Sequence, residues 1–217
     1  MFKRKSLFIT FEGIEGSGKS YQAKKLYKKL RKNNIPAVLT REPGGTKNAE
    51  RIRNIILKDY FNSYLNEKFD KYTDTLLYLA ARNEHVKNKI KPALEKKKII
   101  LCDRFIDSTY AYQVYGKGVD KKFVKIIHKS ILGNVKPDLT FLLNVNINKA
   151  LKRINKRKTK NRYDKFSKNF YIKVQKSFLN IARQNKKKYI ILDNSEDNIN
   201  TEKYIFEKII NVLKKKK

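Results

Sequence analysis

One octapeptide constrains this chain more than any other feature: Gly13-Ile14-Glu15-Gly16-Ser17-Gly18-Lys19-Ser20. It follows the apolar run Ser6–Glu12 (SLFITFE), which reads as a buried strand, and precedes Ser20–Asn33, which holds helix formers throughout. The octapeptide fits the pattern G-x-x-x-x-G-K-[ST], and the order strand, glycine loop, helix is the context that pattern requires. Glycines let consecutive N–H groups turn toward one point and form an anion nest, and the following helix adds the positive end of its dipole. Lys19 would then reach the β- and γ-phosphates of a bound nucleotide, and Ser20 would hold Mg²⁺ through its hydroxyl. The whole stretch Gly13, Ile14, Glu15, Gly16, Ser17, Gly18, Lys19 and Ser20 is therefore a candidate ATP cradle. Such a loop leaves open a motor, a GTPase, a nucleic-acid ATPase and a small-molecule kinase.

The rest of the chain alternates short apolar runs with longer amphipathic ones. Strands are expected at Ala37–Thr40, Lys98–Cys102, Leu139–Val145 and Tyr189–Leu192. Helices are expected at Thr46–Lys58 with Ile52, Ile55 and Ile56 on one face, and at Tyr72–Ile90 with Leu76, Leu79 and Ala80 inward. Further helices are expected at Phe123–Leu132, on either side of a basic stretch at Lys156–Arg162, and at Thr201–Leu213. Strands that are apolar on both faces and alternate with helices predict an α/β fold with a roughly five-stranded parallel sheet covered on both sides. No linker or repeat divides the chain, so 1–217 is read as a single domain.

Charge comes next, because 53 Lys and Arg against 20 Asp and Glu give a net +33. That suggests a polyanion partner. The lysines, however, are spread over the whole chain, with runs at Lys96–Lys98, Lys186–Lys188 and Lys214–Lys217. Lys, Asn, Ile, Tyr and Phe all have A/T-rich codons, so codon bias decorating solvated faces is the favoured explanation. The one cysteine, Cys102, excludes an internal disulfide framework and suits a reducing compartment. Lys3, Arg4 and Lys5 begin like a secretory signal, but the apolar stretch Leu7–Phe11 is cut short by Glu12. No apolar run approaches the ~18 residues of a membrane helix. The expectation is a soluble cytoplasmic protein.

Two segments narrow the chemistry. Asp103-Arg104 closes the third strand, where an acid beside the phosphate loop suits a second Mg²⁺ position and an arginine can fork onto a phosphate; a plain strand-end salt bridge is the alternative. Thr40-Arg41-Glu42-Pro43-Gly44-Gly45-Thr46 closes the second strand in a tight turn at the same edge. The base-reading motif of a GTPase is absent after Leu143-Asn144-Val145. His85 and His128 fall in helices and read as structural, and Cys102 reads as a small core residue.

These segments, with Leu79-Ala80-Ala81-Arg82, the stretch DRFIDSTYAYQ (103–113) and Lys136-Pro137-Asp138-Leu139-Thr140, resemble bacterial thymidylate kinase, in order and over nearly the whole chain. The resemblance implies the three-layer P-loop kinase fold of the nucleoside monophosphate kinases, with a small mobile lid at about 153–165. It implies ATP with Mg²⁺ as donor, dTMP as acceptor and dTDP as product, in dTTP synthesis, by a homodimer. By similarity Tyr78 stacks on thymine, Arg82 bonds the base, Thr109 and Gln113 line its pocket, and Tyr112 lies against the sugar, disfavouring a 2′-hydroxyl. Glu15 sits near the 3′-hydroxyl and the metal, Arg104 and more weakly Arg53 grip the dTMP phosphate, and Ser20 and Asp103 hold Mg²⁺. The phosphate loop carries Gly16 and Ser17 where some members have a catalytic arginine, so the lid would supply Arg153, Arg157 and Arg162. Asn161-Arg162-Tyr163-Asp164 departs from the Asp-Arg-x-Glu usual in that lid. The alternatives are a kinase for another nucleoside monophosphate, against which Tyr112 and the Tyr78/Arg82 pair argue, and an ATP-dependent nucleic-acid-binding module. No specific nucleic acid and no membrane is expected as a partner.

Overall fold

A computed structural model of the protein describes residues 6–57, 69–159, 161–196 and 199–215. Lys3–Lys5, the last residue of the helix expected at Thr46–Lys58, Lys160 and the final two lysines of Lys214–Lys217 lie outside them. Five strands, β1 (Leu7–Glu12), β2 (Ala37–Arg41), β3 (Ile99–Asp103), β4 (Leu139–Asn144) and β5 (Tyr189–Asp193), form one parallel sheet in the order β2-β3-β1-β4-β5. β1 is central, with Leu7 opposite Ile99 on one side and Ile9 opposite Leu139 on the other. Its six residues are all buried.

That burial explains the continuous apolar run. Leu7, Ile9 and Phe11 pack with Leu26 and Leu30 of α1 (Lys19–Lys32) and with Ile205 and Ile209 of α9 (Ile199–Lys215). Phe8 points the other way, to Ile90, Ile100 and Phe105. Each such side chain contributes roughly 1.5–3 kcal/mol on leaving water. The two polar residues that interrupt β1 and β4, Thr10 and Thr140, hydrogen-bond each other at 2.8 Å, so neither is left unsatisfied in the core.

The remaining helices are α2 (Lys47–Leu57), α3 (Lys71–His85), α4 (Lys91–Glu95), α5 (Ile106–Thr109), α6 (Lys121–Leu132), α7 (Ile147–Asn155) and α8 (Lys168–Gln184). Three departures from expectation stand out. Ile56 is buried but Ile55 is exposed, and on α3 Leu79 is buried while Leu76 and Ala80 face outward. The helix expected to run to Ile90 changes to wide π-type turns at Val86–Ile90 before α4. A further helical segment was not expected: α5 continues into π-type turns over Tyr110–Gly116. Its β-branched and aromatic residues are weak helix formers, and packing supplies what propensity lacks, since Tyr112 sits against Phe170 and Phe178 of α8. No helix among the described residues is long and apolar enough to cross a membrane.

Candidate active site

The C-terminal ends of β1, β2 and β3 open onto one cleft, where ligands of such sheets bind. Glu15, Lys19, Ser20, Arg53, Tyr78, Arg82, Asp103, Arg104, Thr109, Tyr112, Gln113 and Arg157, all singled out from sequence, line it. The loop wraps tightly enough that side chains would not fit. A Cβ on Gly13 (φ 137°) would stand 2.5 Å from the Leu143 carbonyl oxygen, and one on Gly16 (φ 73°) 2.6 Å from that of Ala150. Lys19 folds over the loop, its Nζ donating to Ile14 O at 2.6 Å and Ser17 Oγ at 3.3 Å. Burial, helped by the Arg104 charge, pushes its amine down to about 7 against the pull of Asp103, Glu15 and Glu12. An arriving phosphate would reverse that shift. Ser20 Oγ donates to Asp103 Oδ2, while Asp103 Oδ1 is buried without a hydrogen-bond partner. A hydroxyl and a carboxylate with one oxygen unsatisfied suit Mg²⁺, which keeps most of its shell as water and substrate oxygens.

Beside the loop, Arg104 holds a left-handed backbone (φ 70°). Its guanidinium donates to Gly13 O at 3.0 Å, Ser108 Oγ at 3.1 Å and Glu15 Oε1 at 2.8 Å, and lies over the Tyr112 ring. The Tyr112 hydroxyl donates to the other Glu15 oxygen. Burial works to raise the Glu15 carboxyl, but Arg104, Lys19 and this hydroxyl hold it below the ordinary value. Arg53, on α2, donates to Pro43 O at 2.7 Å.

Arg82 is one turn beyond Tyr78 on α3, and both line the cleft. Its guanidinium makes four bonds: Nε donates to Glu42 Oε2 (2.7 Å), Nη1 to Thr109 Oγ1 (2.7 Å) and His128 Nε2 (2.6 Å), and Nη2 to Phe105 O (2.9 Å). Burial and the Arg82 charge push His128 down to about 2, so it is neutral and accepts through Nε2. His85 bonds Thr40 and Glu42. Both histidines are thus structural, as expected: His85 ties the Thr40–Thr46 turn to α3, and His128 ties α6 to α3 through Arg82.

The lid segment follows α7. Arg157 faces the cleft and donates to Asp164 at 2.6 Å. Asn161 and Asp164 cap a short 3₁₀ turn reciprocally: Tyr163 N donates to Asn161 Oδ1 at 2.8 Å and Asn161 N to Asp164 Oδ2 at 3.0 Å. The departure from Asp-Arg-x-Glu is therefore a self-consistent cap. Arg162 does not line the cleft; it pairs with buried Asp74, which also takes Lys117 Nζ at 2.7 Å. Arg153 is likewise drawn aside, donating to the carbonyls of Gly16, Asn194 and Ser195.

Sequence reasoning missed Tyr163, Glu42, Asp74 and Glu12. Tyr163 packs edge-on to Tyr78 and Tyr112, and its hydroxyl accepts from Gln113 Nε2 at 3.3 Å. Glu12 carried a signal, being the one charge in an apolar run. Burial and the neighbouring Asp107 push its carboxyl up to about 8, against Ser108, Arg104 and the Phe105 N–H.

A glycine-wrapped anion loop with a buried lysine and a Ser/Asp pair, facing an aromatic pocket across an arginine, defines a P-loop phosphotransferase. Comparison with known proteins gives the family. The family model for thymidylate kinase matches residues 11–205. The thymidylate kinase of Wolbachia pipientis from Culex pipiens (strain wPip) is 42% identical over 97% of both chains, and that of Mycoplasma capricolum 41% over 88% of both. The crystal structure of thymidylate kinase from Ehrlichia chaffeensis superposes with a TM-score of 0.72 at 34% identity, covering 96% of this chain and 98% of that one. The chain belongs to the thymidylate kinase family.

Proposed function

We propose that this chain transfers the γ-phosphoryl group of ATP to dTMP, giving dTDP. The observation that carries the reading is the single cleft in which the phosphate loop and the Tyr78/Arg82/Tyr112 pocket face each other across Arg104. The acceptor is already a phosphate oxygen, so positioning and charge are what the protein must supply rather than a strong base.

The loop 13–20 would cradle the donor phosphates, with Lys19 on the β- and γ-oxygens. Ser20 and Asp103 would hold Mg²⁺, whose charge offsets that developing on the transferring group. Arg104, with Arg53, would exchange its present acceptors for the dTMP phosphate. Tyr78 would stack on thymine, with Arg82, Thr109 and Gln113 around the base edge. Tyr112, held by Glu15, would fill the space a 2′-hydroxyl needs, and Glu15 would face the 3′-hydroxyl and the metal. Closure of the lid, about 153–165, would carry Arg157 and Arg162 toward the transferring phosphoryl group, Arg162 leaving Asp74 to do so.

A coupled assay over a panel of nucleoside monophosphates tests this. The highest kcat/KM is expected with dTMP; a higher value with another monophosphate would replace the acceptor assignment. The free, buried Cys102 fits a reduced cytoplasmic setting. We further propose a homodimer. Tyr72, Leu76 and Ala80 form an exposed stripe at four-residue steps on α3, with Ile126 of α6 and Ile55 of α2 also outward. A second copy would cover such a face. Light scattering at micromolar concentration should give twice the chain mass, and a monomer would remove the dimer.

A further inference from the structure

The Glu12 side chain lies outside the cleft lining, yet everything it touches leads to Arg104. The residue ends β1 and is 1% exposed. One carboxyl oxygen accepts the Phe105 backbone N–H at 2.7 Å, and the other accepts the Ser108 hydroxyl at 2.7 Å. Ser108 Oγ in turn accepts Arg104 Nη1 at 3.1 Å. Arg104 adopts a φ of 70°, a region that side-chain-bearing residues leave unless the surroundings hold them. Those surroundings can be counted off: Arg104 N donates to Phe11 O at 3.0 Å, Phe105 N to Glu12, and Phe105 O accepts from Arg82. Two of these three tethers are successive residues of β1. Relaxation of the turn to negative φ would swing the guanidinium away from Gly13 O and Glu15.

We propose that Glu12 is a positioning residue for phosphoryl transfer: it clamps Phe105 N and Ser108 Oγ so that the left-handed turn at Arg104 aims the guanidinium into the cleft. This rests on the reading that Arg104 grips the acceptor phosphate. The clamp has two ends with different duties. The Phe105 end fixes the backbone, and the Ser108 end orients the side chain through one intervening hydroxyl. Gln at position 12 retains an acceptor for Phe105 N but presents a donor to Ser108. Asp retains the carboxyl but withdraws it by one methylene, too far to reach both partners.

The test combines crystal structures with kinetics of Glu12→Ala, Glu12→Asp, Glu12→Gln, Arg104→Ala and the double variant Glu12→Ala/Arg104→Ala. In Glu12→Ala, or in Glu12→Asp should the alanine variant not fold, Arg104 should leave the left-handed region. The KM for dTMP should rise about tenfold, the scale of a lost hydrogen bond to a charged group. The KM for ATP should stay within about twofold. Glu12→Gln should keep the left-handed turn and recover most of the dTMP affinity. Adding Glu12→Ala to Arg104→Ala should change little. An unchanged Arg104 conformation in Glu12→Ala and Glu12→Asp would overturn the proposal. So would equal rises in both KM values, or a full Glu12→Ala effect in the Arg104→Ala background. If Arg104→Ala leaves the dTMP KM unmoved while Glu12→Ala still releases the turn, the phosphate reading fails but the clamp stands.

Discussion

Arg82 and Arg162 are both proposed to serve the same cleft, and they are held in opposite ways. Arg82 grows from the last turn of α3 and makes four bonds within the frame, to Glu42, Thr109, His128 and the Phe105 carbonyl. Arg162 sits in a one-turn helix beyond α7 and is held by its ion pair with Asp74, which Lys117 shares. Burying Arg82 takes a network that gives every guanidinium nitrogen a partner, and such a network fixes geometry. A side chain held by one shared carboxylate and by its sequence neighbour Tyr163, whose hydroxyl accepts at 3.4 Å, can exchange the carboxylate for a phosphate oxygen at small cost. Frame arginines can therefore recognise, while a lid arginine can arrive late and meet charge that exists only during transfer.

Substitutions can break that contrast. Arg162→Ala should lower kcat roughly 10³-fold, the scale of arginine fingers, with ground-state dTMP affinity hardly moved. Its Tm should fall little, because Asp74 keeps Lys117. A large rise in the dTMP KM would place Arg162 among the recognition residues instead. Lys19→Ala should lower kcat at least about a hundredfold while leaving Tm unchanged or raised, since a buried amine with a depressed pKa is removed; near-normal turnover would end the phosphate-loop assignment.

Arg82→Ala should do what Arg162→Ala does not. The KM for dTMP should rise about tenfold or more, as for a lost charged hydrogen bond, with the KM for ATP nearly constant. Glu42 loses its closest charged partner inside the protein, a loss on the order of 3 kcal/mol, so Tm should drop by roughly 10 °C. An unchanged melting curve would show that the Arg82 network is not a structural brace.

The smallest effect concerns the Glu12 carboxyl. Its folded pKa of about 8 lies above the ordinary carboxylate value, so its contribution to stability is present below that ordinary value and is lost as pH rises through about 8. Between about pH 5 and 9 the wild-type Tm should therefore decline more than that of Glu12→Gln. Parallel curves from circular dichroism would mean Glu12 titrates as an ordinary surface acid.

Legibility followed the same divide. The loop 13–20 and Asp103-Arg104 could be read because local covalent order sets them: a strand must precede the loop. The Tyr78/Arg82 pair was read from the family resemblance, with which its one-turn helical spacing agrees. Leu76 and Ala80 were misjudged for the converse reason. Periodicity finds apolar faces but not which of them has a neighbour, and α3 presents Leu79 to the core while Leu76 and Ala80 face out. The segment 106–116 was missed because its helix depends on contacts with α8, which no window of sequence contains.

By itself, then, the sequence determined the strand–loop–helix unit and the parallel α/β class, because each depends on neighbours within a few positions along the chain. Tertiary structure alone decided that Arg162 pairs with Asp74, 88 residues away, and that Glu12 reaches Ser108, 96 residues away. It also decided that Tyr163 closes on Tyr78. Which carboxylate meets which arginine is fixed by how strands stack and helices cross, and that arrangement exists only once the core has formed.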